Sequence, residues 1–326
     1  MSSLAHISVH ASQFPENVRQ ELIQSLRLRR INHKFHYDSV KQAHRWLALH
    51  NAYSPFVTDP DCAIIYERAF EAVTNRMQEP SIHVIGLGCG GGQKDVRLLR
   101  LLVNSGKQTS YTPADVSSAM VLIARQAALE VIKEQNCFPL VLDLATAGNL
   151  QSVLGELSVI GAARLVTLFG MLPNFEPKSL LPTLCSFIQP RDHLLLSANL
   201  APGRDYAVGV ERVLRLYDNE LTREWLITFL LDLGVSRDDG VLQFLVEDDL
   251  ESGLKRIAAH FVFKQDCEIR VQSEHFVFRP TDSIRLFFSY RHTPDLIRSL
   301  LRRFGLKVVE EWISVSGEEG VFLVKP

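Results

Sequence analysis

Residues 82–95, Ile-His-Val-Ile-Gly-Leu-Gly-Cys-Gly-Gly-Gly-Gln-Lys-Asp, constrain this chain more than any other stretch. The β-branched residues Ile82, Val84 and Ile85 lead straight into Gly86, Gly88, Gly90, Gly91 and Gly92, and the amphipathic run 96–102 follows. This is the pattern of a strand, a glycine loop and a helix. Glycines let backbone approach a flat or charged ligand closely, and a helix N-terminus offers unpaired N–H donors. The loop points to a nucleotide-like ligand without choosing one.

From residue 82 onward, short apolar runs alternate with amphipathic segments. Strands are expected at 82–87, 111–115, 138–143, 163–170 and 192–198, and helices at 93–104, 118–134 and 177–188. Strands alternating with helices predict βαβ units and a parallel sheet with right-handed crossovers. Two helices, 16–30 and 60–77, are expected upstream. The pattern changes after residue 200, to a helical stretch at 205–234 and antiparallel strands at 257–263, 269–271 and 275–278. Thr293 as N-cap and Pro294 in the first turn open a helix that Gly305 ends. Strands 306–313 and 320–324 then form a terminal hairpin that adds antiparallel strands to the sheet. The acidic run Glu247-Asp248-Asp249, with Glu251, reads as a solvated helix start. Arg27-Leu28-Arg29-Arg30 reads as a solvated helix end.

The charge balance narrows the partners. With 35 basic and 37 acidic side chains and no strongly basic lobe, nucleic acid is not expected. Apolar runs are broken by charge well short of membrane-spanning length. The opening residues, Met-Ser-Ser-Leu-Ala-His-Ile-Ser, lack a basic region followed by a long apolar core, so no signal peptide is expected. Cys62, Cys89, Cys137, Cys185 and Cys267 are far apart and form no Cys-x-x-Cys pair, which predicts a reducing cytosol and no disulfide framework. His33, His36, His44 and His50 match no zinc spacing, and no metal is expected. Cys89 reads as a small residue lining the loop, because no His is evidently placed to activate it. Nothing in the sequence fixes an oligomeric state.

In a doubly wound sheet, ligands lie beyond the carboxyl ends of the strands. The first strand ends in the glycines. The second ends in Asp115, suited to accept from ribose hydroxyls, or else to cap the next helix. The third ends in Asp143, suited to accept from an exocyclic amine such as adenine N6. The fourth ends in Gly170 and runs into Met171-Leu172-Pro173-Asn174-Phe175. The glycine spacing itself serves two cofactors. Gly86-x-Gly88-x-x-Gly91 fits a nicotinamide dinucleotide, and Gly88-x-Gly90-x-Gly92 fits the loop of a methyltransferase. The later strand ends, and the lack of a second nucleotide-binding half, favour S-adenosylmethionine.

From about residue 34 to its end the chain resembles the histidine-specific methyltransferases, the ergothioneine-pathway enzymes that trimethylate the α-amino group of histidine. The resemblance is carried by Lys34-Phe35-His36-Tyr37-Asp38, by Gly86-Leu87-Gly88-Cys89-Gly90 with Lys94, and by Tyr111-Thr112-Pro113-Ala114-Asp115-Val116-Ser117. Further matches are Gly170-Met171-Leu172-Pro173-Asn174-Phe175-Glu176-Pro177, Tyr217-Asp218 and Ser289-Tyr290-Arg291-His292-Thr293-Pro294. It implies an α/β fold: a Rossmann-like class I methyltransferase sheet with helices on both faces, plus a smaller α+β substrate lobe. The expected division is residues 61–204 and 289–326 for the S-adenosylmethionine domain, and 1–60 and 205–288 for the substrate lobe. The implied cofactor residues are Gly86, Gly88, Gly90, Lys94, Asp115, Asp143 and Gly170. Asn174 and Tyr217 resemble the pair that binds the substrate carboxylate, Tyr37 and Tyr53 the tyrosines near the reacting amine, and Ser289 a residue on the imidazole side.

Three positions depart from the family pattern. Phe287 stands where a glutamate binds the imidazole, Gly86 where an acid is usual at the end of the first strand, and Asn199 where an aspartate follows the fifth strand. An apolar ring cannot accept from an imidazole N–H, so Phe287 suits an aromatic or aliphatic side chain instead. The expected activity is therefore S-adenosylmethionine-dependent N-methylation of a small amine or amino acid. The alternatives are a catalytically degenerate methyltransferase that only binds, and an NAD-dependent oxidoreductase.

Overall fold

Along Ser81–Leu87 the residues alternate between two apolar environments. Ile82 and Val84 enter one core and Ile85 and Leu87 another, and all four are fully buried. A strand covered on both faces belongs inside a sheet flanked by helices. The computed structural model describes residues 4–326, so the first three positions of the opening segment lie outside the described residues. In chain order its elements are β1 (Ser8–Val9), α1 (Pro15–Arg27), α2 (Val40–Tyr53), α3 (Pro55–Thr58), α4 (Pro60–Arg76), β2 (Ser81–Leu87), α5 (Gln93–Asn104), β3 (Gln108–Asp115) and α6 (Ser118–Ala128). Then come β4 (Leu140–Val141), α7 (Leu150–Leu157), β5 (Ala163–Leu168), α8 (Pro177–Phe187), β6 (His193–Asn199), α9 (Tyr206–Leu214) and α10 (Glu220–Asp232). The rest are β7 (Gly240–Asp249), β8 (Leu254–Phe263), β9 (Cys267–Val271), β10 (Glu274–Phe278), β11 (Ser283–Arg291), α11 (Pro294–Arg303), β12 (Lys307–Ile313) and β13 (Glu319–Lys325).

The large sheet has the order β1-β4-β3-β2-β5-β6-β13-β12. Strands β1 to β6 pair in parallel, and β13 joins β6 antiparallel with β12 outside it. That is a class I methyltransferase sheet, with the terminal hairpin where the sequence predicts it. The order reverses at β2, between β3 and β5, so the glycine loop leaves the sheet at its topological switch point. The α5 bounds, and Thr293 as the side-chain cap of α11, also agree with the sequence reading.

The smaller lobe holds a three-stranded antiparallel sheet, β11-β8-β7, and the hairpin β9-β10. Its core packs Leu26, Ile31 and Phe35 from the N-terminal segment against Trp225, Leu226 and Phe229 of α10 and Phe261 and Phe287 of the sheet. β11 runs unbroken across residue 288, and Ser8–Val9 lies at the edge of the large sheet.

Four local expectations are corrected. The helix expected over 118–134 stops at Ala128, where the chain turns to bury Ile132 and to bring Glu134 onto Arg125. The strand expected at 138–143 shrinks to Leu140–Val141, although the Phe138 and Leu142 N–H groups still donate to the Tyr111 and Asp115 carbonyls of β3 at 2.8 and 2.9 Å. The strand expected to reach Gly170 ends at Leu168, and Gly170 turns out with φ +71°. The acidic run at 247–249 is not a helix start but the end of β7. Glu247 lies directly opposite Arg256 on β8 and accepts from its Nε at 2.8 Å and from His260 Nε2 at 2.8 Å, a cross-strand pairing that keeps the acids in a strand.

Candidate active site

Gly88, Gly90 and Gly92 take φ of +65°, +51° and +74°, conformations glycine adopts without strain. Close approach also demands glycine here. A Cβ on Gly88 would run into the side chain of Met171, and one on Gly90 would lie 3.1 Å from the Trp46 ring. The flattened loop thus lies between Met171, beyond β5, and Trp46 of α2, and forms one side of a cavity of about 700 Å³ between the two lobes. That size suits a cofactor together with a small acceptor.

Asp115 and Asp143 line the cavity where β3 and β4 end. Asp115 accepts from the Gly90 N–H at 3.0 Å and the Ser117 N–H at 3.0 Å, which ties the second strand end to the glycine loop. Helix α6 is capped by the Ser117 side chain, not by Asp115. The Asp115 carboxylate, which the Val116 N–H also approaches, keeps lone-pair capacity for a further donor. Asp143 Oδ1 accepts from the Ala145 N–H at 2.9 Å. Its Oδ2 is buried without a hydrogen-bond donor and stands 3.3 Å from Lys34 Nζ, which lies 2.6 Å from Glu21. Oδ2 is thus engaged by the Lys34 ammonium, and the spare lone pair of Oδ1 is the one that fits the exocyclic amine of an adenine.

Lys94 lies toward the other end. Its Nζ donates to Tyr66 Oη at 2.9 Å and sits 4.4 Å from the centroid of that ring, and Tyr66 Oη donates to Glu319 at 2.5 Å. Burial lowers the pKa of Lys94 and raises that of Glu319. The Gly170 N–H donates to Ser197 Oγ at 2.9 Å, and Asn174 Nδ2 reaches back to the Gly170 carbonyl at 3.4 Å.

The far wall belongs to the smaller lobe. Tyr217 Oη donates to Ser289 Oγ at 3.0 Å and accepts from Arg291 Nη2 at 2.7 Å. A bulge in β11 after Arg285 leaves Leu286 without a partner on β8 and re-aims Phe287. The Phe287 ring stands 5.0 Å from His33, 5.7 Å from Trp225 and 6.0 Å from Tyr217. Tyr37 packs against Trp46 and Trp225, and burial raises its phenol above the usual range. Tyr53 is 52% exposed at the cavity rim. The Cys89 thiol is raised well above its ordinary value by burial, as suits a lining residue and not a nucleophile.

Every site residue read from the sequence lines this cavity except Gly86, which lies beneath it. Asn174 and Tyr217 face the cavity from separate segments, each with its own partners. Asp95, Glu319, Arg291, Trp46 and Trp225 also line it and escaped the sequence reading. Arg291 stood in a quoted motif, but Glu319 gave no signal, because its place depends on its register opposite Asn199. Among the described residues no His, Cys, Asp and Glu cluster is placed to hold a metal ion, and no helix is long and apolar enough to cross a membrane.

A sheet of this order, with a glycine loop at its switch point and acids at the next two strand ends, has the Rossmann-like architecture of the class I methyltransferases. The profile of the family described as "Histidine-specific methyltransferase, SAM-dependent" matches residues 14–326, and the chain belongs to that family. Its cofactor is therefore S-adenosylmethionine, which decides against the nicotinamide dinucleotide that the glycine spacing also admits. An N-methyltransferase of Aspergillus flavus, imqF, is 25% identical over 251 residues, covering 73% of this chain and 66% of that protein. The aligned stretch thus falls just short of two thirds of that relative. Among solved structures, magnesium protoporphyrin IX methyltransferase of Synechocystis PCC 6803 is similar at 14% identity and a TM-score of 0.46, covering 88% of this chain and 94% of that one. CalS10, an amino pentose methyltransferase from Micromonospora echinaspora, is similar at 11% identity and a TM-score of 0.37, covering 80% and 91%.

Proposed function

We propose that this protein methylates the amino nitrogen of a small amino acid or related amine whose side chain is apolar or aromatic. One observation carries the reading: the polar group Asn199, Tyr217, Ser289 and Arg291 opens onto the same cavity as the glycine loop, with Phe287 closing the wall beside it. The N-methyltransferase relative supports nitrogen as the acceptor atom.

When bound, S-adenosylmethionine supplies a methyl group on a sulfonium, already activated for displacement. This chain has to hold a neutral amine in line behind that methyl and keep water away. Asp115 accepts from the ribose hydroxyls and Asp143 from the adenine amine. Gly88, Gly90 and Gly170 allow close backbone approach, Gly86 makes room behind the loop for the Asp95 carboxylate, and Lys94 meets the cofactor carboxylate. Asn174 and Tyr217 hold the acceptor's carboxylate, with Arg291 behind Tyr217 adding positive charge. Tyr37 remains a neutral phenol, so it orients the amine lone pair and does not take its proton. Tyr53 meets the acceptor from the rim. Residues 1–60 and 205–288 serve as the substrate lobe, apart from Ser8–Val9 at the edge of the large sheet, and 61–204 with 289–326 as the cofactor domain, the two being joined through β11. Five unpaired cysteines suit a reducing, cytoplasmic setting.

The test is a screen of amino acids and amines with S-adenosylmethionine, read by mass spectrometry. Aromatic or aliphatic amino acids should gain methyl groups more efficiently than histidine. Equal or better turnover of histidine would overturn the proposed side-chain preference.

A further inference from the structure

We propose that Asp95 is a cofactor-binding residue, its carboxylate receiving the ammonium at the amino-acid end of S-adenosylmethionine in a space that Gly86 keeps clear. The inference rests on the cofactor occupying the cavity described above.

Asp95 lies in the first turn of α5, is 3% exposed and borders the cavity. Its Oδ2 accepts from Tyr111 Oη at 2.6 Å and its Oδ1 from Thr167 Oγ1 at 2.7 Å. Both donors are neutral hydroxyls, and among the described residues no ion pair to Asp95 is formed. Lys94, its neighbour in the chain, turns instead to Tyr66. Lys94 acts on this carboxylate only through space and burial still raises its pKa, so a cation from outside the chain would stabilise the charged form. Each carboxylate oxygen holds one donor and retains capacity for another.

Gly86 explains how the carboxylate reaches this place. Gly86 pairs with Thr167 on β5, and Tyr111 pairs with Val84 two residues earlier, so all three share one face of the sheet. A Cβ on Gly86 would overlap Asp95 Oδ2 and lie 3.0 Å from Tyr111 Oη. The φ of Gly86 is ordinary, so space and not backbone conformation demands glycine there. The acid missing from the end of β2 is thus supplied from the helix that follows the loop. S-adenosylmethionine carries one ammonium and one carboxylate, both at its amino-acid end. Consecutive residues of opposite charge, Lys94 and Asp95, match those two groups.

The experiment is calorimetric titration of wild type, Asp95→Asn and Asp95→Ser with S-adenosylhomocysteine and with 5′-methylthioadenosine, which lacks the amino-acid end. Both variants should lose S-adenosylhomocysteine affinity by about tenfold or more while 5′-methylthioadenosine binds as before. The serine variant, smaller than the amide, guards against a disturbance of Tyr111 or Thr167, and unchanged 5′-methylthioadenosine binding reports an intact site. Unchanged S-adenosylhomocysteine affinity, or equal losses for both ligands, would overturn the assignment of Asp95 alone. A wild-type protein that takes up neither ligand would overturn the cofactor reading of the cavity together with it.

Discussion

Arg291 donates through Nη2 to the hydroxyl of Tyr217 at 2.7 Å, and its Nη1 is fixed by the Leu200 carbonyl at 3.1 Å. Arg291 is 5% exposed, so the phenol both satisfies a buried cation and presents its charge to the cavity through one oxygen. Tyr217→Phe should therefore act on stability and on binding together. Leaving Arg291 short of an acceptor is expected to cost about 1–3 kcal/mol in chemical denaturation. KM for the acceptor should rise, with the affinity for S-adenosylhomocysteine unchanged. An unchanged KM would separate Tyr217 from acceptor binding.

Replacing Gly86 by alanine places a methyl against the Asp95 carboxylate and the Tyr111 ring. Overpacking of this kind costs about 1–3 kcal/mol. The loss should shrink when Asp95 is also replaced by alanine, because the two side chains compete for one space. Urea denaturation of the two single variants and the double variant measures this coupling. Strict additivity of the losses would contradict the shared space.

Phe287→Glu puts an acceptor where the wall is now apolar, within reach of an acceptor side chain bearing an N–H. The preference of apolar over imidazole acceptors, taken as a ratio of kcat/KM, should fall by at least about tenfold, since a matched polar pair can shift discrimination by more than that. An unchanged ratio would mean that Phe287 does not face the acceptor's side chain.

Much of the fold is written in local signals. Helix α5 follows from the apolar spacing behind the glycines, and α11 from Thr293 and Pro294, because caps and periodicity act within a few residues. Asp115, Asp143 and Asn174 are legible for a related reason: once strands are placed, their ends are known. What escaped depends on register between distant segments. Glu247 looks like a solvated acid until β8 sets Arg256 opposite it. Glu319 enters the cavity only because β13 pairs with β6 across from Asn199. Asp95 carries no signal of its own in the sequence, because the space it fills is defined by Gly86, Tyr111 and Thr167 from three strands.

Acid should weaken the fold early. Burial lowers His36, His50, His83, His193 and His292 from 6.5 to about 4, and holds His33 well below its usual range too. As pH falls below about 6.5 the unfolded chain takes up protons that the folded chain refuses until about 4, so the unfolding free energy decreases across that window and is level above it. Denaturation midpoints measured at several pH values across this range should fall steadily toward acid. A flat profile would contradict neutral, buried imidazoles.

The central claim, methyl transfer to an amino nitrogen in this cavity, is tested most directly by following the methyl itself. Purified protein is incubated with S-adenosylmethionine carrying a ¹³C-methyl group and the best acceptor from the amino-acid screen, and the product is read by NMR. The account predicts the labelled methyl on the α-amino nitrogen, correlated to the α-proton across that nitrogen. Label on oxygen, carbon or sulfur, or no transfer to any amine in the screen, would contradict it.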